Sequence, residues 1–430
     1  MLESARTFEV APGKVQTNRS SDMPAHAGIQ ADANRQNLDF RFHGNDEADE
    51  RKSRRQTMNA RTLLMVIALL LPSSIDSHAA RAATPALLKA KQAAQANGFI
   101  FEASHDEILA KAKKEGKLRV ISSLDKETYK QLAEAFKQKY PFIDFALTPV
   151  DGSEAAQRFL MELKAGSGKN WDSIHLSRDF YNEFAEHVKK IDIYGMAEQG
   201  VLAIPIGMID PNKRSIVAEA SAIQAVVYNK DLIAPEKVPN TWEDFLRPEL
   251  KGRKFLIDIR PHGMVSLVPG MGEAWVKSYA ARLKEQEPIW VRGYARSLAS
   301  MAVGEYALHQ QANYQSCVEV AEKHPKKSMI CKVIEPVPVR LIELQGVTSL
   351  GAHPYAALLW LEFQATPTGQ RIIDKYEPLK SSVYGPGSEL AKVTQGKKLS
   401  IDKWDSFAQI PGWYEMIEKA FGLPQAEKIK

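Results

Sequence analysis

Between Glu102 and Ser177 amphipathic helices and short apolar strands alternate three times, and that alternation restricts the chain to few folds. In "EASHDEILAKAKKEGKLRVISS", Ile108, Leu109 and Ala112 mark the buried face of a helix that Gly116 stops, and Leu118 to Ile121 form a strand. In "DKETYKQLAEAFKQKYP", Tyr129, Leu132, Ala133, Phe136 and Tyr140 make one helical stripe, which Pro141 ends. "FIDFALTPV" predicts a second strand, "DGSEAAQRFLMELKAG" a helix with capping-box spacing at Asp151 and Glu154, and "DSIHLS" a third strand. Strands separated by helices of this length require crossovers, so the expectation is an α/β fold with a parallel sheet covered on both faces.

A second unit repeats the pattern: a strand at "AIQAVVYNK", a helix at "TWEDFL", a strand at "KFLID" and a long helical region from Gly263. In "CKVIEPVPVRLIEL" two prolines interrupt an extended segment, which predicts a crossing or edge strand. The aromatic-rich "KWDSFAQIPGWYEMIEKAF" is expected to pack on the outside of a lobe. At 430 residues two lobes are the natural division.

Ahead of this region lie two segments of different composition. Residues 1–57 carry nine basic and nine acidic side chains with little apolar periodicity, and are expected to be disordered. "MPAHAGIQ" and "LDFRFHGNDE" resemble translated intergenic repeats of bacterial genomes, so translation is expected to start at Met58. From there one Arg, an apolar run Leu63 to Leu71 and small residues around Ala80 to Ala82 have the form of a secretory signal peptide over 58–82. The run is about half the ~20 residues a membrane span needs.

Export puts the chain in an oxidising compartment, and its two cysteines, Cys317 and Cys331, are expected to form a disulfide worth roughly 3 kcal/mol. Two buried thiols are the alternative. The net charge of +5 is spread among acidic residues, which excludes a dense nucleic-acid-binding face. The chain has no G-x-S-x-G, no H-E-x-x-H and no P-loop; "LKAGSGKN" lacks the required spacing. An enzyme is therefore not expected, and neither is a cofactor. Without repeats, a structural or adhesive protein is not expected either.

"AFKQKYPFIDF", "VYNKDLI", "PNTWEDFLRPELKGR", "GEYAL", "AHPYAALLWLEFQATPTGQ" and "SSVYGPGS", in this order, resemble the type 2 periplasmic solute-binding proteins of ABC importers. The similarity is greatest to the branch of the ferric-ion-binding proteins. That resemblance implies two doubly wound α/β lobes joined by crossing strands, with 101–223 plus 337–430 in the first and 224–336 in the second. It also implies a monomer in the periplasm that closes on a small-molecule ligand and delivers it to permease subunits.

The ligand site is expected where strand ends meet helix starts, at Ser122, Ser123, Ser153 and Ser177. Hydroxyls and unpaired backbone N–H groups there suit an anion, and Arg260, at the end of "FLIDI", can supply a forked positive contact. Each serine alone could simply cap a helix. Ferric-binding relatives present a His or carboxylate on the first lobe and tandem tyrosines on the second, since ferric iron prefers hard oxygen ligands. Here Tyr314 matches one tyrosine, Gln315 stands in place of the other, and Ser177 in place of the carboxylate. The departure argues against free ferric iron; His175 and His262 are the imidazoles left to such a site. A small anionic organic solute is the first expectation, with iron or an iron chelate as the alternative and a secreted enzyme on a similar scaffold as the third.

Overall fold

The computed structural model describes residues 84–423 apart from Asp151 and Lys403; the expected leader and signal peptide lie outside the described residues. Ten strands form one sheet: β1 (Lys117–Ser122), β2 (Asp144–Pro149), β3 (Ser173–Leu176), β4 (Ile216–Asn229), β5 (Leu256–Asp258), β6 (Ile289–Val291), β7 (Leu308–Asn313), β8 (Met329–Lys332), β9 (Val337–Val347) and β10 (Leu399–Ile401). The main order is β2-β1-β3-β9-β4-β7-β5-β6, with β10 on β9 and β8 on β4. β1 runs parallel to β2 and β3, and β5 runs parallel to β6 and β7. Each parallel set is one lobe, covered by the helices that its crossovers require.

The long strands β4 and β9 join the lobes. They pair antiparallel from Ile216↔Gly346 to Ile223↔Val339, and beyond that point β4 turns to new partners, Gln224↔Asn313 on β7 and Val226↔Lys332 on β8. One strand thus serves both halves of the sheet, and it changes partner at Ile223 and Gln224.

The helical stripes pack as their spacing predicts. Ile108 and Ala112 of helix His105–Glu115 are buried, as are Leu132 and Phe136 of helix Lys126–Lys139. Phe136 stands edge-on to Trp360 at 5.3 Å, fixing the first-lobe core. "TWEDFL" is a single 3-10 turn, Glu243–Leu246, because Pro248 follows too soon for an α-helix; Trp242 and Phe245 are nevertheless fully buried. Cys317 and Cys331 are disulfide-bonded, tying helix Tyr314–Lys323 to β8.

The carboxyl-terminal segment, expected on the outside of a lobe, packs on elements of both. Trp404 and Phe407 pack on Tyr181 of the first lobe, with ring centroids 6.2 and 4.9 Å apart. Helix Ile410–Phe421 then lies along helix Glu273–Glu285 of the second lobe, where Trp413 Nε1 donates to Glu273 Oε1 at 2.6 Å. Its aromatic residues are buried because two lobes, not one, supply the surfaces they cover.

Glu219, on the first-lobe half of β4, is fully buried, and neither carboxylate oxygen has a hydrogen-bond partner. Burial holds its carboxyl well above the ordinary value of 4.5, so the folded chain keeps this proton at pH values where the unfolded chain has lost it. Stability from this residue is therefore complete below pH 4.5 and falls as pH rises toward the folded value. Glu219→Gln is expected to raise the urea midpoint at about pH 8 and to change it little at about pH 4. Equal midpoints at the higher pH would contradict this account.

Candidate ligand site

The carboxyl ends of β1 and β3 and the middle of β9 enclose a cavity of about 260 Å³, room for a small solute. Ser123, His175, Ser177 and Arg178 come from the first lobe, and Arg340, Ile342, Glu343 and Leu344 from β9. Three consecutive β9 residues can share one cavity only if strand alternation is broken. Glu343 breaks it, with a φ of +51°, a conformation that a non-glycine residue adopts at a cost.

Glu343 is the centre of a buried polar network. It accepts a hydrogen bond from Ser123 Oγ, lies 3.6 Å from His175 Nδ1 and pairs with Lys380 Nζ at 3.1 Å. Lys380 also pairs with Glu377 at 2.5 Å, and Glu377 accepts from the backbone N–H of Asp125 at 3.1 Å. Burial would raise the Glu343 carboxyl, but Lys380, His175 and Ser123 together outweigh it and hold the group ionised. For His175 burial prevails and lowers its pKa, so the ring is neutral. Its Nδ1 lies 3.2 Å from Ser123 Oγ, whose proton goes to Glu343, so this pairing requires the Nδ1–H tautomer.

Two guanidinium groups face this network. Arg178 Nη2 is 2.5 Å from Asp402 Oδ2, its plane lies 5.5 Å over the Phe407 ring, and its Nη1 has no hydrogen-bond partner among the described residues. Arg340 has no carboxylate partner among the described residues, and its buried Nε makes no hydrogen bond. An unpaired guanidinium on a cavity wall is costly unless an acceptor meets it there. From the second lobe His262 approaches, its Nδ1 2.5 Å from Tyr414 Oη. Burial, then the positive charges of Arg340, Arg260 and Arg178, push His262 down to about 4, so it too is neutral.

Folded chains of this geometry are already known. A candidate extracellular solute-binding protein from Bordetella parapertussis superposes with a TM-score of 0.57 at 11% identity, over 71% of this chain and 99% of its own. Trichodesmium FutA (IdiA), in complex with iron and citrate, gives 0.55 at 16% identity, over 71% and 99%. Apo ferric ion-binding protein A from Pasteurella haemolytica gives 0.54 at 13%, over 73% and 100%. The chain has the type 2 solute-binding fold. No family model and no curated protein sequence matches it.

Within that fold the expected site residues divide. Ser123 and Ser177 line the cavity. Ser122 does not: it is fully buried and its Oγ accepts from Leu124 N at 3.3 Å, so it shapes the turn after β1. Ser153 lies in the first turn of helix Gly152–Lys164, and its side chain is outside the described residues. Arg260 is held by Asp258, with Nη2 to Oδ2 at 3.0 Å and Nε to Oδ1 at 3.3 Å, and stacks 5.6 Å over Tyr294. The forked contact expected of it for a ligand is made inside the chain. Tyr314 opens helix Tyr314–Lys323 and packs against a cluster containing Ile223, Val339 and Leu390, away from the cavity lining.

Arg178, Arg340, Glu343 and Lys380 were not anticipated. Arg178 directly follows Ser177 in "HLSRD", and any strand-end argument that admits the serine admits its neighbour. Arg340 sits inside the apolar "VPVRLIEL", where a lone cation in a central strand is a signal in itself. Lys380 gives no local signal, because its partners are 37 and 3 residues away in sequence and only the fold unites them.

Proposed function

We propose that the protein is the periplasmic substrate-binding component of an ABC importer, which captures a small anionic organic solute between its lobes and delivers it to membrane permease subunits. The observation that carries the anion is Arg340, a guanidinium on the cavity wall with no carboxylate of its own among the described residues. Ser177 can donate a hydrogen bond beside it, Ser123 and neutral His175, whose protons are used within the network, can accept from a ligand hydroxyl, and a carboxylate or phosphonate matches the planar fork of a guanidinium. A solute held by Arg340 on the joining strand favours the closed form by whatever contacts closure adds to it from the second lobe. No covalent step belongs to this reading, and the protein acts as a monomer without nucleic acid.

The second reading is an iron chelate. It is favoured by the Trichodesmium relative, which holds iron together with citrate. Free ferric iron is less favoured, since Tyr314, the residue that matches one tyrosine of ferric-binding relatives, packs against Ile223, Val339 and Leu390 and is not among the residues lining the pocket. Thermal-shift measurements with carboxylates, phosphonates, polyols, ferric chloride and ferric citrate separate these readings. A ligand at 100 times its Kd adds about 2.7 kcal/mol, so a true ligand gives a clear shift. The first reading requires that shift from a metal-free anion. A shift from ferric salts alone, with a visible charge-transfer colour, would replace it by the second.

A further inference from the structure

Charge bookkeeping around the cavity narrows the ligand further, and this step rests on the anion-binding reading above. Lys380 is already shared by Glu343 and Glu377, Arg178 is paired with Asp402, and Arg260 is paired with Asp258. His175 and His262 are neutral. Among the described residues that line the site, Arg340 is therefore the one cation with no ion pair of its own, and because two carboxylates share Lys380 the named groups sum to zero, so no positive charge is spare for a second ligand anion.

Asp402 sets this limit. It is fully buried at the end of β10, and its Oδ2 also accepts from Ser266 Oγ of the second lobe at 3.0 Å. The carboxylate occupies the Arg178 guanidinium much as a second ligand carboxylate would, and the Ser266 contact fixes it there from the opposite lobe. Its Oδ1 has no hydrogen-bond partner among the described residues, where Arg178 and Ser266 are the groups that hold it. A ligand with two negative charges would have to displace Asp402 or leave one charge uncompensated in a partly solvent-exposed pocket, next to the buried Glu343 carboxylate.

We infer that Asp402 is a specificity-determining residue: as an internal counter-ion to Arg178 it leaves a single cation for the ligand, so the site selects solutes bearing one negative charge at the bound end and rejects dianions. The consequence separates ligands of similar size. A monocarboxylate or a singly ionised phosphate ester fits, whereas a dicarboxylate, a doubly ionised phosphate ester or a polyanionic ferric citrate does not.

The test uses lactate, malonate and methyl phosphate as probes, with calorimetric titration of the wild type and of Asp402→Asn. Methyl phosphate is compared at about pH 5 and about pH 8, on either side of its second ionisation near 6. The wild type is expected to bind lactate at least tenfold more tightly than malonate, and methyl phosphate at least tenfold more tightly at the lower pH. In Asp402→Asn malonate is expected to gain tenfold or more, because Arg178 is released. Malonate binding to the wild type as tightly as lactate would overturn the inference while leaving anion binding intact. If the wild type binds none of the three, the anion reading falls and the inference with it. The wild-type comparison decides the matter even if the variant does not fold.

Discussion

Replacing Lys380 by Met is expected to destabilise the protein by about 3–5 kcal/mol at neutral pH, the usual cost of removing one partner from a buried ionic group. Among the described residues Lys380 Nζ is the one ammonium between Glu343 and Glu377, at 3.1 and 2.5 Å; both carboxylates are buried and Lys380 is largely so. Burial alone would depress the ammonium, but the two carboxylates outweigh it and hold Lys380 well above its ordinary value of 10.5. Its contribution is thus complete below pH 10.5 and is lost only as pH rises through the folded value. Glu343 behaves in the opposite sense. Its lowered pKa gives stability that is present above 4.5 and lost as pH falls through the folded value.

Without Lys380 that second dependence reverses, since a buried carboxylate without a cation gains from protonation. The deficit of Lys380→Met should therefore be greatest in neutral and alkaline solution and shrink below about pH 4.5. Adding Glu343→Gln to Lys380→Met should recover roughly half of the loss, because one of two uncompensated charges is removed. Chemical denaturation of the three proteins across pH measures this. A deficit independent of pH would mean that Lys380 acts through packing of its aliphatic stem and not through charge.

How far the sequence goes toward this site depends on the range of the signal. The strands and helices of both lobes were legible because their burial is periodic and local: Leu132 and Phe136 are four residues apart and face the same core. The crossing character of β9 was visible in Pro336 and Pro338, which a central strand of a regular sheet does not tolerate. Which lobe the carboxyl-terminal aromatics cover was not legible, for a physical reason. An amphipathic helix declares that it has a buried face, but not which surface covers it, and Trp404 and Trp413 are covered by different lobes.

The same distinction explains the binding residues. Ser123 and Ser177 could be placed because strand ends of a parallel sheet point to one edge. Arg260 sits at such an end too, yet Asp258, two residues earlier, folds back and takes both of its hydrogen-bonding arms. A carboxylate at i−2 on an extended segment was the available warning. Conversely, nothing nearby in sequence neutralises Arg340, and its exceptional status follows only from knowing every group that surrounds it.

Arg340 consequently carries the second large expectation. Arg340→Met should weaken binding of the anionic solute by about 2–5 kcal/mol, roughly 30-fold to several thousand-fold, as found when one member of a buried charge-assisted contact is truncated. The free protein should not suffer in proportion. Arg340 makes no ion pair among the described residues that its removal would break, and methionine keeps an apolar stem in the pocket wall it shares with Ile342 and Leu344 while removing a guanidinium that is expensive to desolvate. Thermal stability without ligand should therefore be unchanged or slightly higher. This pairing of lost affinity with retained stability separates a ligand contact from a structural role, which would move both together. Arg178→Met provides the contrast: it strands the buried Asp402 carboxylate, so stability should fall along with binding. Were Arg340→Met to bind the solute within threefold of the wild type, the anion would have to be held elsewhere, and the unpaired guanidinium would need another explanation.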